Sequence, residues 1–273
     1  MILKTKTKNY DLAERTYIMG ILNVTPDSFS DGGKYTSLDK ALSHAIKMEK
    51  DGADIIDIGG ESTRPGHTPI SIEEEIERIV PVIQAVRENT TVPISVDTFK
   101  AETARAALDA GADIINDIWG AKKDPEIADV AAEYDVPIIL MHNREEENPK
   151  YNSIIDDMKR DLEESIEIAL EAGVKKENII IDPGLGFAKS MEEHLIVMNQ
   201  LEELHTLGYP ILLATSRKRF IGHVLNVPAQ ERDNGTAATT CLGITKGVHM
   251  VRVHNVKLNV EMAKMMDAML RAK

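Results

Sequence analysis

A single cysteine, Cys241, among 273 residues leaves no partner for an internal disulfide and no thiol cluster for zinc or an iron–sulfur centre. Aromatic residues make up 4% of the chain, with Trp119 alone of its type, too few for a stacking platform on single-stranded nucleic acid. Basic residues are the minority. The 32 Lys and Arg against 45 Asp and Glu give a net charge of −13, so no nucleic-acid partner is expected. No run of about 18 apolar residues occurs, and the opening MILKTKTKNYDLAERT lacks the apolar stretch of a secretory signal. No membrane partner is therefore expected, and the cytoplasm is the expected location.

What is present is a globular composition, 42% hydrophobic and 28% charged, in a chain long enough for a substantial core. Short runs rich in Ile and Val alternate with longer segments of mixed apolar, Glu, Lys and Ala residues, which is the pattern of βα units. Strands are expected over 17–23, 54–58, 93–97, 113–116, 137–141, 178–182, 210–215 and 249–254. Helices are expected over 38–50, 72–87, 101–108, 125–134, 154–171, 192–204, 229–246 and 256–270. Eight such units in a chain of this length predict a closed (β/α)8 TIM barrel in one domain spanning residues 1–273. The segment Gly52-Ala53-Asp54-Ile55-Ile56-Asp57 parallels Gly111-Ala112-Asp113-Ile114-Ile115-Asn116, each a helix end followed by a strand start.

In a barrel the loops that follow the strands converge on one face, and the unusual polar residues of this chain sit there. Asn23, Asp57, Asp97, Asn116, Asp182, Arg252 and His254 end otherwise apolar strands. Period-two alternation puts Arg252 and His254 on one face of the last strand, with Val251 and Val253 on the other. Cations on an inner barrel face need an anion or a satisfied polar network, so a bound anion and a structural salt bridge both fit. Asp97 could contact a ligand or cap the helix that begins near Ala101. Asn23 could likewise cap a loop or touch a ligand. Asp182 is followed by Pro183-Gly184-Leu185-Gly186-Phe187, a stiff residue and two permissive glycines that hold the carboxylate at the rim. Asp97, Asn116 and Asp182 together could read the edge of a nitrogen heterocycle.

Thr215-Ser216-Arg217-Lys218-Arg219 enters a short helix, where Lys218 could reach a heterocycle or an anion. The first βα loop, Val24 to Gly33, and the second, Gly59 to Gly66, combine turn residues with Asp31 and Arg64 and could close over a substrate. Neither is a phosphate-binding P-loop, and Gly184-Leu185-Gly186 is no complete dinucleotide fingerprint. Met262, Met265, Met266 and Met269 recur at near-helical spacing in the last helix, as packing against the core or a second copy requires.

The run Asn23-Val24-Thr25-Pro26-Asp27-Ser28-Phe29-Ser30-Asp31-Gly32-Gly33 resembles the first signature of the dihydropteroate synthase family. Asp57 to Gly66, Asp182 to Phe187, Ser216-Arg217-Lys218 and Arg252-Val253-His254 extend the resemblance over nearly the whole chain, in order and spacing. It implies a barrel enzyme that joins a pterin-CH2 diphosphate to 4-aminobenzoate, releasing dihydropteroate and pyrophosphate. By the same resemblance Asp97, Asn116, Asp182 and Lys218 read the pterin. Asn23, Arg252 and His254 receive the diphosphate with Mg2+, Asn23 being the expected metal contact. Thr63, Pro65, Phe187, Lys218 and the start of the following helix shape the aminobenzoate side, Asp31 and Arg64 contribute from the first two loops with Arg64 a substrate contact, and Asp31, Arg64, Lys218, Arg252 and His254 are the expected catalytic residues. A homodimer is the expected assembly. A pterin-binding methyltransferase on a related barrel is the alternative that pyrophosphate release would separate.

Three departures from the family's pattern stand out. Asn143-Arg144-Glu145-Glu146-Glu147 replaces a common Met-Arg-Gly, and Ala188 replaces a glycine after Gly186-Phe187. Arg219 stands where a small hydroxyl residue is common, and could meet a carboxylate or point into solvent.

Overall fold

A computed structural model describes residues 1–25, 34–62, 68–145 and 149–272, without the side chains of residues 34–36. The β-branched runs form short strands covered on their outer side by helices, where a pleated surface packs Ile and Val well. After an antiparallel hairpin of β1 (Ile2–Lys4) and β2 (Asn9–Asp11), the barrel begins with β3 (Tyr17–Asn23), α1 (Lys34–Lys50), β4 (Ile55–Gly59) and α2 (Ile72–Asn89). It continues through β5 (Ile94–Asp97), α3 (Ala101–Asp109), β6 (Ile114–Asp117), α4 (Glu126–Tyr134), β7 (Ile138–Met141) and α5 (Ile154–Glu171). It ends with β8 (Ile179–Asp182), α6 (Met191–Asn199), β9 (Leu212–Leu213), α7 (Arg219–Leu225), α8 (Asp233–Thr245), β10 (Met250–Val253) and α9 (Val256–Arg271).

The eight strands β3 to β10 pair in parallel, in the order β8-β7-β6-β5-β4-β3-β10-β9. One bridge, Ile181 to Ile211, joins the two ends and nearly closes a (β/α)8 TIM barrel. The seam lies where the sequence predicts a strand over 210–215, of which only Leu212–Leu213 forms the ladder. Pro210 has no N–H to give a neighbour, and its carbonyl accepts from the Ile181 N–H instead.

Other departures have equally local causes. The helix expected over 192–204 ends at Asn199 and resumes as a 3-10 turn over Leu201–Leu207. Leu201, Leu204 and Leu207 recur every third residue, which matches three residues per turn and keeps one apolar edge inward. The N-terminal hairpin is not predicted at all. Its alternation is only three residues per strand, and its inward residues Leu3 and Tyr10 plug the barrel floor with Leu12.

Period-two alternation divides the strand side chains into two sets. Ile18, Leu22, Ile56, Ile58, Val96, Ile115, Ile138, Leu140, Val251 and Val253 face the helices in the main core. Tyr17, Met19, Ile55, Ile114, Ile139, Ile180, Leu212 and Met250 fill the lower interior above the hairpin. This apolar floor carries the residues two places further along each strand.

Candidate active site

On β4, β5, β6, β8 and β10 those next inward positions are polar. Asp57 follows Ile55, Asn116 follows Ile114, Asp182 follows Ile180, Arg252 follows Met250, and Ser95 and Asp97 occupy β5. Polar side chains buried over an apolar floor must satisfy one another or a ligand. Arg252 does much of this. Its Nε donates to Asp57 at 2.6 Å and its Nη2 to Asp97 at 2.5 Å. Asn116 Nδ2 donates to the same Asp57 oxygen at 3.2 Å. The second oxygens of Asp57 and Asp97 and the hydroxyl of Ser95 are buried and find no hydrogen-bond partner among the described residues.

Of the two readings of Arg252 left open by the sequence, the salt bridge is the one the structure forms. The residue sits at the mouth with two carboxylates oriented by it. Burial acts against its charge, but Asp57 and Asp97 outweigh that and keep the guanidinium ionised. Burial pushes the Asp97 carboxyl up, with Arg252 opposing. Asp97 faces the interior, and the N-cap position of α3 is taken by Lys100, so Asp97 is not that helix's cap.

Asp182 accepts from the Gly184 N–H at 2.7 Å, so the turn itself holds the carboxylate. Burial raises it to about 6. Lys218, just before α7, stands with its Nζ 4.1 Å from the centre of the Phe187 ring. Burial and the neighbouring Arg252 lower it to about 8, while Asp182 and Asp97 act upward. A Cβ on Gly186 would lie 2.6 Å from Lys218 Cδ, and its φ of +98° is one that side chains avoid, so glycine permits this approach. Asp97, Asn116, Asp182, Lys218 and Arg252 thus share one mouth.

His254 lies at the edge of that group, its Nδ1 2.7 Å from Ser216 Oγ. Asn23 is half-buried at the end of β3. Arg217 turns away to form a bidentate pair with Asp233, and Arg219 is exposed at the first turn of α7. Asn143 is buried and donates to the Ile118 carbonyl at 3.2 Å. Asp31, Thr63, Arg64 and Pro65 lie outside the described residues.

The sequence places Asp57 among the polar strand ends without giving it a role, and it does not mark Ser95, although both alternate in register with the inward positions. Lys189 was also missed, since a lysine seven residues after a strand gives no sign of burial. The chemistry open to the cup is clear from its atoms. Three carboxylates, two of them with an unsatisfied oxygen, stand with an amide, two cations and an aromatic face. They suit a flat heterocycle rich in N–H donors, with an anionic group toward Asn23 and His254.

A profile described as pterin binding enzyme matches residues 19–254. The chain is 62% identical over 269 residues to dihydropteroate synthase of Bacillus subtilis, covering 98% of this chain and 94% of that protein. It is similar to a dihydropteroate synthase structure from Clostridium difficile, determined in the presence of pteroic acid, with 50% identity and a TM-score of 0.93, covering 96% of this chain and 100% of that one. A Xanthomonas albilineans dihydropteroate synthase structure with 4-aminobenzoic acid is 40% identical with a TM-score of 0.95, covering 100% and 99% of the two chains.

Proposed function

The chain belongs to the dihydropteroate synthase family of pterin-binding enzymes, and from that premise we propose that it joins a 7,8-dihydropterin-6-ylmethyl diphosphate to 4-aminobenzoate. The single observation that carries the reading is the cup in which Arg252 orients Asp57 and Asp97 beside Asn116 and Asp182, leaving carboxylate oxygens open to ring N–H donors.

The reaction is a substitution at the pterin methylene. The C–O bond to the diphosphate breaks, the aromatic amine forms the C–N bond, and a proton leaves the amine to solvent. No enzyme nucleophile is required. Positive charge that develops on the pterin-CH2 unit is stabilised by the fixed Asp97 and Asp182 carboxylates, and Asn116 and Lys218 orient the ring. Arg252, His254 and Asn23 meet the departing diphosphate, and Phe187 with Lys218 shapes the aminobenzoate side. Asp31, Thr63, Arg64 and Pro65 complete the proposal from the first two βα loops.

Mg2+ fits this donor set as an ion carried by the diphosphate. Among the described residues no three His, Cys, Asp or Glu side chains gather as a cage, whereas Asn23 offers one half-buried amide oxygen at the anion end. When bound, the ion would neutralise leaving-group charge. A homodimer through the exposed Leu242, Met265, Met269 and Leu270 and a cytoplasmic location complete the reading. Among the described residues no helix is long and apolar enough to cross a membrane.

The test is substrate dependence. Pyrophosphate and dihydropteroate should appear together, in equal amounts, only when both substrates are present. Absence of both products, or methyl transfer without pyrophosphate, would overturn the reading.

A further inference from the structure

Behind the turn that carries Asp182 and Phe187 lies a buried lysine for which the proposed chemistry has no use. Lys189 Nζ lies 2.8 Å from His142 Nδ1, 3.0 Å from the Gly184 carbonyl and 3.3 Å from the Phe187 carbonyl. Three acceptors match the three donors of an ammonium, a form that burial disfavours by lowering Lys189 to about 7. With Nδ1 accepting, the His142 proton resides on Nε2, which donates to Asp161 at 2.9 Å. Arg144 Nε donates to the same Asp161 oxygen at 2.7 Å, and its guanidinium lies 4.3 Å from the Tyr151 ring centre. Tyr151 donates its hydroxyl proton to the Ala188 carbonyl at 2.6 Å. Three carbonyls of one turn are therefore held by a single chain of side chains that passes through Asp161 on α5.

We infer that Lys189 is a positioning residue for the aminobenzoate side of the reaction: tied to His142 and Asp161, its side chain fixes the Gly184 and Phe187 carbonyls and so sets where the Phe187 ring stands. The inference rests on the proposed reaction for its substrate, and on geometry alone for the hold on the turn. Asp182 is placed by β8 and by the Gly184 N–H, so the pterin side depends on Lys189 less than Phe187 does. The network also gives a use to Arg144, in the stretch that departs from the family's pattern. Burial keeps His142 neutral, at about 3, as the acceptor role of Nδ1 requires.

The test compares the wild-type chain with Lys189→Met and Tyr151→Phe by steady-state kinetics and by hydrogen exchange over residues 182–189. Lys189→Met should raise the KM for 4-aminobenzoate about tenfold while moving the KM for the pterin diphosphate by less than about twofold. Exchange in the turn should rise at least about tenfold as its carbonyl anchors are lost. Tyr151→Phe, which removes one hydroxyl and should fold regardless, should shift both readouts the same way by a smaller factor. Unchanged exchange in both variants, or equal KM changes for the two substrates, overturns the inference. Should the wild-type chain make neither product, the proposed reaction fails, and the exchange measurement still decides whether Lys189 holds the turn.

Discussion

Arg252 Nε and Asp57 Oδ2 stand 2.6 Å apart on the inner face of the barrel, on β10 and β4, with only β3 between their strands. Closing the sheet brings the guanidinium between Asp57 and Asp97, so one side chain orients both carboxylates. Removing the cation leaves two buried carboxylates facing each other. Arg252→Met should cost roughly 3–5 kcal/mol of stability, as uncompensated buried charges do, and lower kcat by about 10²-fold or more through lost orientation and charge stabilisation. Urea unfolding and steady-state rates measure the two losses separately, and a variant that keeps both would refute the role.

Asp182 supports a prediction in which activity and stability move apart. Its folded value is raised by burial to about 6 from a usual 3.8, so its contribution to stability is full below 3.8 and is lost as pH rises through 6. At pH 8 the chain carries the cost of an ionised, buried carboxylate. Asp182→Asn keeps an oxygen for the Gly184 N–H and removes that charge. It should gain on the order of 2 kcal/mol at pH 8 and almost nothing at pH 4. Pterin affinity, read by calorimetry at pH 8, should fall about 100-fold because the amide is a poorer acceptor for ring donors. A destabilised variant at pH 8 would contradict the assignment of burial as the dominant cause.

The barrel was legible because each strand is a compact β-branched run and each helix a separate amphipathic stretch, signals that survive without tertiary context. The strand 17–23 and the helix 154–171 form with the ends expected of them. The seam at Leu212–Leu213 was not legible, since it reflects where the last strands fail to reach each other. Among site residues, Asp97, Asn116, Asp182 and Arg252 announced themselves as polar side chains at the ends of apolar runs. Asp57 carries the same signal and is set with them at the strand ends, but a carboxylate whose partner is another strand's arginine shows no role until the sheet closes. Ser95 is too ordinary a strand residue to stand out, and the burial of Lys189 is created by two loops that meet only in space.

The meeting of those loops can be tested at Gly184. Its φ is +65°, and a Cβ there would lie 1.9 Å from the His142 carbonyl oxygen, a backbone atom with no room to retreat. Gly208 has a similar φ of +76°, but a Cβ added there would meet nothing within 4 Å. Gly208→Ala should therefore cost only the conformational term, about 1–2 kcal/mol. Gly184→Ala should cost about 3 kcal/mol or more by adding the clash between loops. Thermal unfolding of the two variants at one pH makes the comparison, and equal losses would show that the loops are not pressed together.

The exposed apolar residues of α8 and α9 carry the assembly prediction. Leu242 is 39% exposed, Met265 58%, Met269 52% and Leu270 55%, on two helices that pack against each other. Single exposed apolar side chains are ordinary, but a group on one helix pair suits burial against a second copy. Light scattering should give twice the chain mass, and Met265→Glu with Met269→Glu should shift the chain to monomer. Unchanged mass in the double variant would place any interface elsewhere.

Charge balance decides the metal prediction. Among the described residues of the mouth, Asp57, Asp97 and Asp182 oppose only Lys218 and Arg252, and Arg252 is already shared between two carboxylates. Beyond that shared guanidinium, a diphosphate at this mouth would meet a neutral amide at Asn23 and an imidazole bonded to Ser216, which leaves much of its charge uncompensated among the described residues. On the proposed reaction, a divalent cation travelling with the diphosphate would supply the missing charge, and Asn23 would be the protein's contact with it. Chelation of Mg2+ should thus abolish turnover while a pterin lacking the diphosphate still binds. Asn23→Ala should raise the half-saturating Mg2+ concentration about tenfold, since one of few protein ligands is lost. Turnover that persists in excess chelator would mean that the chain's own cations suffice.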